Sequence, residues 1–589
     1  MKNFGAIKTR VELANFLGIA VKKLTHILYV KKPESYYHTF EIPKKAGGVR
    51  TINAPDDVLK KLQAKLAKVL VDYQTDFINK QNQKQTNISH GFERNKSIIT
   101  NAKIHRNKRY VVNLDLDNFF DTFHIGRVIG YFEKNRYFSF PHEVAATIGQ
   151  LTCYQGKLPQ GAPSSPIITN LICQILDFRL LRVAKKFKMD YTRYADDLTF
   201  STNYKEFLNY QNEFLLAIAA VINQAGFTIN EKKTRIQYCD SRQEVTGVVV
   251  NKKLSVNRDY VRKTRAMAHE LYKTGKFTID DIPGDIAQLE GRFAFINQLD
   301  DYNKTQLYAG ISDKNDKNSF NARENQYRKF LFYKYFFAND KPLIVTEGIT
   351  DILYLKAALR KLCSQYPQLI EKGKDGKFRY KVSFLSRTKR LYYFLHISQD
   401  GADTMGNIYR YFTETKGNTH TPNFFQYFVE NYNCEQKYPI MLLYDNENSN
   451  RSENGNDSNK KKKKKPLANF FSCVFKGEQI EKDKLKSKLG QDLKLKLVGD
   501  SKLFLITNPL VGGKPECEIE DLFSEEVLAT MLNGKSFNRD SDADNKKHYG
   551  KRKFAEFIYA HYKEIDFSGF IPLLNVIRSI VTEEGIITG

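Results

Sequence analysis

Three aspartates stand out by where they sit. Tyr191-Thr-Arg-Tyr-Ala-Asp196-Asp197-Leu-Thr-Phe200 puts two adjacent carboxylates inside an apolar run. Asp115 closes a similar run, Tyr110-Val-Val-Asn-Leu-Asp115. Like charges this close repel, and strand positions ordinarily go to residues such as Val or Thr. A divalent cation between the carboxylates would remove the repulsion. Two strands that deliver three carboxylates to one edge supply the acids of a two-metal phosphoryl-transfer centre.

A second acid set lies in the C-terminal half. Pro342-Leu-Ile-Val-Thr-Glu347-Gly348 reads as a short buried strand ending in an acid and a glycine, and 349–359 reads as a helix capped by Thr350 or Asp351. A distant buried strand, 438–444, ends in Asp445-Asn446-Glu447. Acids at the C-terminal ends of parallel strands occupy the edge where open α/β folds bind ligands. Taken alone, Glu347 is equally an acid capping the positive end of a helix.

The segments around the first set suit a polymerase. Asn118-Phe119-Phe120-Asp121 follows Asp115. Leu158–Asn170 gathers Pro159, Gly161, Pro163 and Pro166 before an apolar helix from about Ile167, which reads as a loop shaped for backbone contact with a nucleotide. This set resembles the palm of a reverse transcriptase, and the resemblance implies an α+β right hand of fingers, palm and thumb. It makes Asp115, Asp196 and Asp197 the catalytic residues and the ligands of two Mg²⁺. Phe120 matches the aromatic gate against a 2′-hydroxyl, so dNTPs are the implied substrates. Gln160 and Gly161 match the loop on the incoming nucleotide. Lys44, Lys45 and Arg50 match the fingers hairpin that clamps the triphosphate, and Ala225–Thr234 the next motif along.

Asn101, Ala102 and His105, with Val245, Thr246 and Gly247, resemble the signatures of retron reverse transcriptases. An RNA-binding role for these six residues is implied. So is a partner, a cognate structured non-coding RNA copied into a branched RNA–DNA product (msDNA) primed from an RNA 2′-hydroxyl.

The second acid set resembles a TOPRIM domain, an α/β module that binds one or two Mg²⁺. Glu347 would be its catalytic acid or base and a metal ligand, with Asp445 and Glu447 completing the ligands. The family's usual Asp-x-Asp is Asp-x-Glu here, which changes the reach of the last ligand. Gly348, Asp351, Glu520, Asp521 and Lys551 match secondary positions, and Gly401 marks a turn after an intermediate strand. The whole chain then reads as a retron polymerase fused to a TOPRIM nuclease-like effector that acts on nucleic acid in anti-phage defence. The competing reading is another prokaryotic reverse transcriptase whose TOPRIM domain is a decayed nucleic-acid-binding scaffold.

Length and charge agree with this organisation. The 589 residues suffice for several cores, and a formal charge of +27 favours a polyanionic partner through counterion release. Seven scattered Cys without C-x-x-C spacing argue against a zinc site and for a reducing compartment. The absence of a signal-like start or a long apolar run leads to the expectation of a cytoplasmic protein away from membranes, its oligomeric state left open. The expected divisions are fingers and palm at 1–250, thumb at 251–310, a connection at 311–340, and the TOPRIM domain at 341–589. The basic helical pattern from Arg258 to about Asp301 suits a thumb gripping phosphates, or simply a solvated helix pair. A Lys-rich insertion near 446–466 reads as a solvated loop that could also draw in a phosphate backbone.

Overall fold

A computed structural model describes residues 4–44, 47–80, 87–307, 320–398, 403–414, 421–447, 465–474, 479–539, 544 and 546–584. Lys45, Gly401 and nearly all of the Lys-rich insertion lie outside the described residues. The chain divides into two compact units, 1–261 with 298–312, and 262–297 with 313–589.

In the first unit, β1 (Tyr37–Pro43) and β2 (Val49–Pro55) form an antiparallel hairpin. The central sheet has the order β4-β5-β3-β6, with β3 at Tyr110–Asp115, β4 at Asp190–Tyr194, β5 at Asp197–Thr202 and β6 at Arg235–Tyr238. All its pairings are antiparallel. Nearly every residue of β3 and β5 is buried, and β5 alternates Leu198 and Phe200 with Thr199 and Ser201 across its two faces. One face carries Val112, Leu114, Leu198 and Phe200 into a core shared with the helices Ser165–Lys186 and Phe207–Gln224. Several other buried side chains of the sheet are polar and paired. Thr199 Oγ1 donates to Asn113 Oδ1 at 3.0 Å, and His105 bridges Ser201 Oγ and Thr192 Oγ1, each at 2.7 Å. The short hairpin of β7 (Glu244–Val245) and β8 (Val248–Val249) packs against the helix Ile98–Ala102.

The second unit contains a small ribbon of β9 (Thr278–Ile279) and β10 (Ile282–Pro283), then β11 (Leu343–Thr346). A second ribbon pairs β12 (Ile370–Lys372) with β13 (Phe378–Tyr380). The main sheet adds β14 (Ser383–Phe384), β15 (Ile440–Tyr444), β16 (Lys494–Lys496) and β17 (Leu503–Thr507), in the order β14-β11-β15-β17-β16. Its first four strands are parallel and β16 is an antiparallel edge. Successive residues of β15 feed two different cores. Ile440, Leu442 and Tyr444 join one, while Met441 and Leu443 join the other, beside helices Ile349–Lys361, Lys551–Ala560 and Ile571–Glu583. Helices on both faces of a parallel sheet give a three-layer α/β unit.

The division differs from the expected one at the thumb. Met267, Leu271, Tyr272, Phe277, Leu289 and Phe293 share the core of the α/β unit with Tyr327, Phe330, Tyr333 and Phe428. Phe293 stacks on Tyr327 at 5.4 Å, and Tyr272 meets Phe428 edge-on at 4.9 Å. The apolar stripe of the thumb helices needed a partner, and aromatic residues beyond position 320 supply it. The stretch expected as a bare connection holds the helix Ala322–Phe332, which contributes to that same core. Among the described residues no single helix is long and apolar enough to cross a membrane.

Candidate active sites

β3 and β5 pair in a register that sets Asp115 directly opposite Asp197. Tyr194 pairs with Asp197, so Ala195 and Asp196 form a two-residue turn, with Ala195 at φ +57°. The Leu116 N–H donates to the Asp196 carbonyl at 3.1 Å, tying that turn to the end of β3. The three carboxylates therefore meet at one sheet edge. Burial raises the pKa of Asp196, with Asp115 adding to it and Lys233 and Arg50 opposing. Burial, then Asp196 and Asp115, push Asp197 up to about 7. Lys233 Nζ donates to both oxygens of Asp115, at 2.9 and 3.0 Å.

The turn rests on a buried support absent from the sequence reading. Arg193 is fully buried and forms a bidentate pair with Asp177, with both N–H···O contacts at 2.8 Å. Its Nη1 donates to Asn170 Oδ1 at 3.1 Å and to the Ala195 carbonyl at 3.2 Å. Gly91 lies beneath the same turn, where an added Cβ would come within 2.5 Å of the Ala195 nitrogen. An arginine inside an apolar strand and an aspartate inside an apolar helix were the available signals.

The other polymerase residues fall around this edge in different ways. Gln160 accepts from the Asn53 N–H at 2.8 Å through its carbonyl, which joins the loop to β2. Gly161 has φ +120°, and an added Cβ would lie 2.9 Å from the Asn53 carbonyl oxygen, so glycine is required there. Lys44 and Arg50 are exposed on the β1–β2 hairpin. Phe120 is half-buried, its ring edge-on to Phe119 at 5.5 Å.

Direct contact with RNA, implied by resemblance for all six signature residues, does not match their burial. Asn101, Ala102, His105 and Val245 are buried, Thr246 is half-buried and Gly247 is exposed. Burial, with a smaller contribution from Lys108, lowers the His105 pKa to about 3, so it is a neutral hydrogen-bonding residue of the core. The two signature segments meet because the Ile98–Ala102 helix packs on the β7–β8 hairpin.

In the second unit, β11 and β15 are parallel neighbours and deliver Glu347 and Asp445 side by side. The Asp445 N–H donates to Glu347 Oε1 at 3.0 Å. Asp445 Oδ1 accepts from Asn508 Nδ2 at 2.8 Å and from the Ile519 N–H at 3.0 Å. Glu347 thus binds across the site, and Asp351 does the helix capping, its Oδ2 accepting from the Gly348 N–H at 2.8 Å. Burial raises the Glu347 pKa to about 8, aided by Glu447 and Asp351. Burial also raises Asp445 well above the carboxylate range, with Glu347, Asp351, Glu520 and Glu518 adding repulsion. Asp351 rises to about 6 through burial and Glu520. Glu447 is half-buried and raised by burial, against the pull of Lys465.

Lys551 Nζ donates to Glu518 at 3.0 Å and to Glu520 at 3.2 Å, which places it beside the acids. Asp521 goes elsewhere. It pairs with Lys514 at 2.8 Å and Arg539 at 3.0 Å, and hydrogen bonds from these cations outweigh burial and lower its pKa. Asn508, just past β17, and Arg387, which donates to the Thr346 carbonyl, were missed by the sequence reading. The polar Thr507-Asn508 pair after an apolar strand was the visible signal for the first.

Among the described residues no three Asp, Glu, His or Cys side chains are drawn together closely enough to enclose a metal ion. The donor chemistry fits one at both edges nonetheless. Each offers carboxylate oxygens, the ligands that Mg²⁺ prefers, and each holds acids whose pKa values are raised by burial and then by mutual repulsion. Lys233 on Asp115 shows that the first edge accepts a cation.

The family model described as "Reverse transcriptase (RNA-dependent DNA polymerase)" matches residues 42–263, which contain all three aspartates. The Retron Mx65 reverse transcriptase of Myxococcus xanthus is 33% identical over 313 residues, covering 50% of this chain and 68% of that protein. The Retron Ec86 reverse transcriptase of Escherichia coli is 32% identical over 302 residues, covering 51% of this chain and 88% of that protein. With Asp115 set opposite Asp197 at one edge of the matched region, the chain belongs to the retron reverse transcriptases, RNA-directed DNA polymerases.

Proposed function

We propose that this polymerase copies a structured RNA bound to the same chain into DNA joined to that RNA. We propose further that the acid edge of the second unit is a TOPRIM-type nucleic-acid hydrolase serving as effector in anti-phage defence. The observation that carries the polymerase assignment is the Asp115–Asp197 register beside the Asp196 turn. Asp115, Asp196 and Asp197 would hold two Mg²⁺, which when bound lower the pKa of the primer hydroxyl and neutralise the triphosphate. Lys44 and Arg50 attract the triphosphate from the fingers hairpin. The Gln160–Gly161 loop, fixed to β2 through Asn53, lies against the nucleotide. Phe120 leaves no room for a 2′-hydroxyl. The Thr246–Gly247 turn, backed by the Ile98–Ala102 helix, is the part of the two signatures open to RNA.

The effector reading rests on Glu347 and Asp445 joined across neighbouring parallel strands, with Lys551 paired to Glu518 and Glu520, two acids that add repulsion at Asp445. One or two Mg²⁺ would be held by Glu347, Asp445 and Glu447 and would supply Lewis-acid activation of a phosphodiester. Burial raises the Glu347 pKa, which suits it to hold and release a proton at its carboxylate.

Glu347→Gln and Asp445→Asn test the effector role in cells challenged with phage. Loss of protection, with RNA-joined DNA still made, is the expected result. Protection retained by both variants would make the second unit a scaffold.

A further inference from the structure

The first unit holds a cavity whose lining residues do not belong to the aspartate edge. It lies between the helices Ile125–Lys134 and Ser165–Lys186 and has a volume of about 610 Å³. That size suits a nucleotide-scale ligand. Every charged residue lining it is a cation: Arg127, Lys134, Arg136 and Arg179. Its aromatic surface is unusual in two ways. Phe178 is 48% exposed, although a phenylalanine on a palm helix would ordinarily be covered. Tyr131 is only 8% exposed, and its hydroxyl has no hydrogen-bond partner among the described residues. A buried hydroxyl left unpaired costs free energy, so a ligand that meets it gains by doing so.

We propose that this cavity binds an unpaired nucleotide of a single-stranded nucleic acid, at a site separate from the polymerase centre. Arg136, Arg179 and Lys134 would take the flanking phosphates. Arg136 already donates one N–H to the Tyr137 hydroxyl at 2.7 Å and Arg179 one to Gln224 Oε1 at 3.4 Å, which leaves each guanidinium further donors. Arg127 is engaged with the Ala225 carbonyl at 3.0 Å and adds its charge. The base would stack on Phe178, and a polar edge of the base or sugar would satisfy the Tyr131 hydroxyl. Cations around aromatic faces are the pattern that holds single strands without sequence preference. An acidic amphipathic peptide would satisfy the charge, but it offers no flat polar ring to match both Phe178 and Tyr131.

The test uses the full-length protein and a fluorescein-labelled six-nucleotide oligouridylate in an anisotropy titration across a salt series. Arg136→Glu with Arg179→Glu should lower the salt slope by about 1.4, since each single-strand phosphate contact contributes about 0.7. Phe178→Ala should weaken binding about five-fold or more without changing that slope. Both changes fall on exposed side chains, so unaltered melting temperatures are expected and serve as the folding control. An oligonucleotide carrying 4-thiouridine should crosslink at Tyr131 or Phe178. Wild-type affinity in both variants, or crosslinks confined to other surfaces, would overturn the proposal. So would displacement of the probe from this cavity by an acidic peptide but not by unlabelled oligouridylate.

Discussion

Asp197 carries the electrostatic cost of the polymerase edge. Its pKa rises from 3.8 to about 7, first through burial and then through Asp196 and Asp115. The folded chain therefore takes up this proton more readily than the unfolded chain does. The group's contribution to stability is present in full below about pH 4 and is lost as pH rises through about 7. Asp197→Asn removes that loss. In protein stripped of divalent cations, the variant is expected to melt above wild type at pH 8 and close to it at pH 4, and with Mg²⁺ supplied it is expected not to polymerise. Equal melting curves at pH 8 would mean that the edge is not strained by its own charge.

The β4–β5 turn is held by an element-scale device, the buried Arg193–Asp177 pair and its grip on the Ala195 carbonyl. Breaking such a pair from one side leaves a buried charge uncompensated, at a cost of about 3–5 kcal/mol, whereas replacing both partners with apolar groups is often near neutral. Arg193→Met should lower stability by that order in chemical denaturation. Arg193→Met with Asp177→Leu should recover part of it, since the buried Tyr191 hydroxyl loses its Asp177 acceptor, and still polymerise poorly, because the Ala195 carbonyl remains unheld. Full activity in the double variant would show that the turn needs no tether.

The contrast between site and support shows what could be read in advance. Asp115, Asp196 and Asp197 were legible because carboxylates interrupt apolar strands, and Glu347 and Asp445 because they end such strands. Arg193, Asn170, Gly91 and Asn508 were not, since each acts on a partner distant in the chain. His105 was legible as a motif, but its hydrogen bonds to Thr192 and Ser201 make it part of the core.

At the scale of the molecule, the thumb stretch matters most. The basic helical pattern of 258–301 announced helices but did not say what they would pack on. Their buried residues, from Met267 to Phe293, share a core with Tyr327, Phe330 and Phe428. Burying such side chains is worth about 1.5–3 kcal/mol each. A chain ended after residue 312 exposes them, and aggregation with loss of polymerisation is the expected outcome on expression. A soluble, fully active truncation would show that those helices find sufficient cover without the rest of the α/β unit.

The most direct measurement is to purify the protein from its native locus and sequence the nucleic acid that comes with it. Asp196→Ala with Asp197→Ala serves as the control. A discrete DNA covalently joined to RNA, present with the wild-type chain and absent with the double variant, is the expected result. RNA alone, no nucleic acid, or the same joined species in both preparations would contradict synthesis of RNA-joined DNA at the Asp115–Asp196–Asp197 edge.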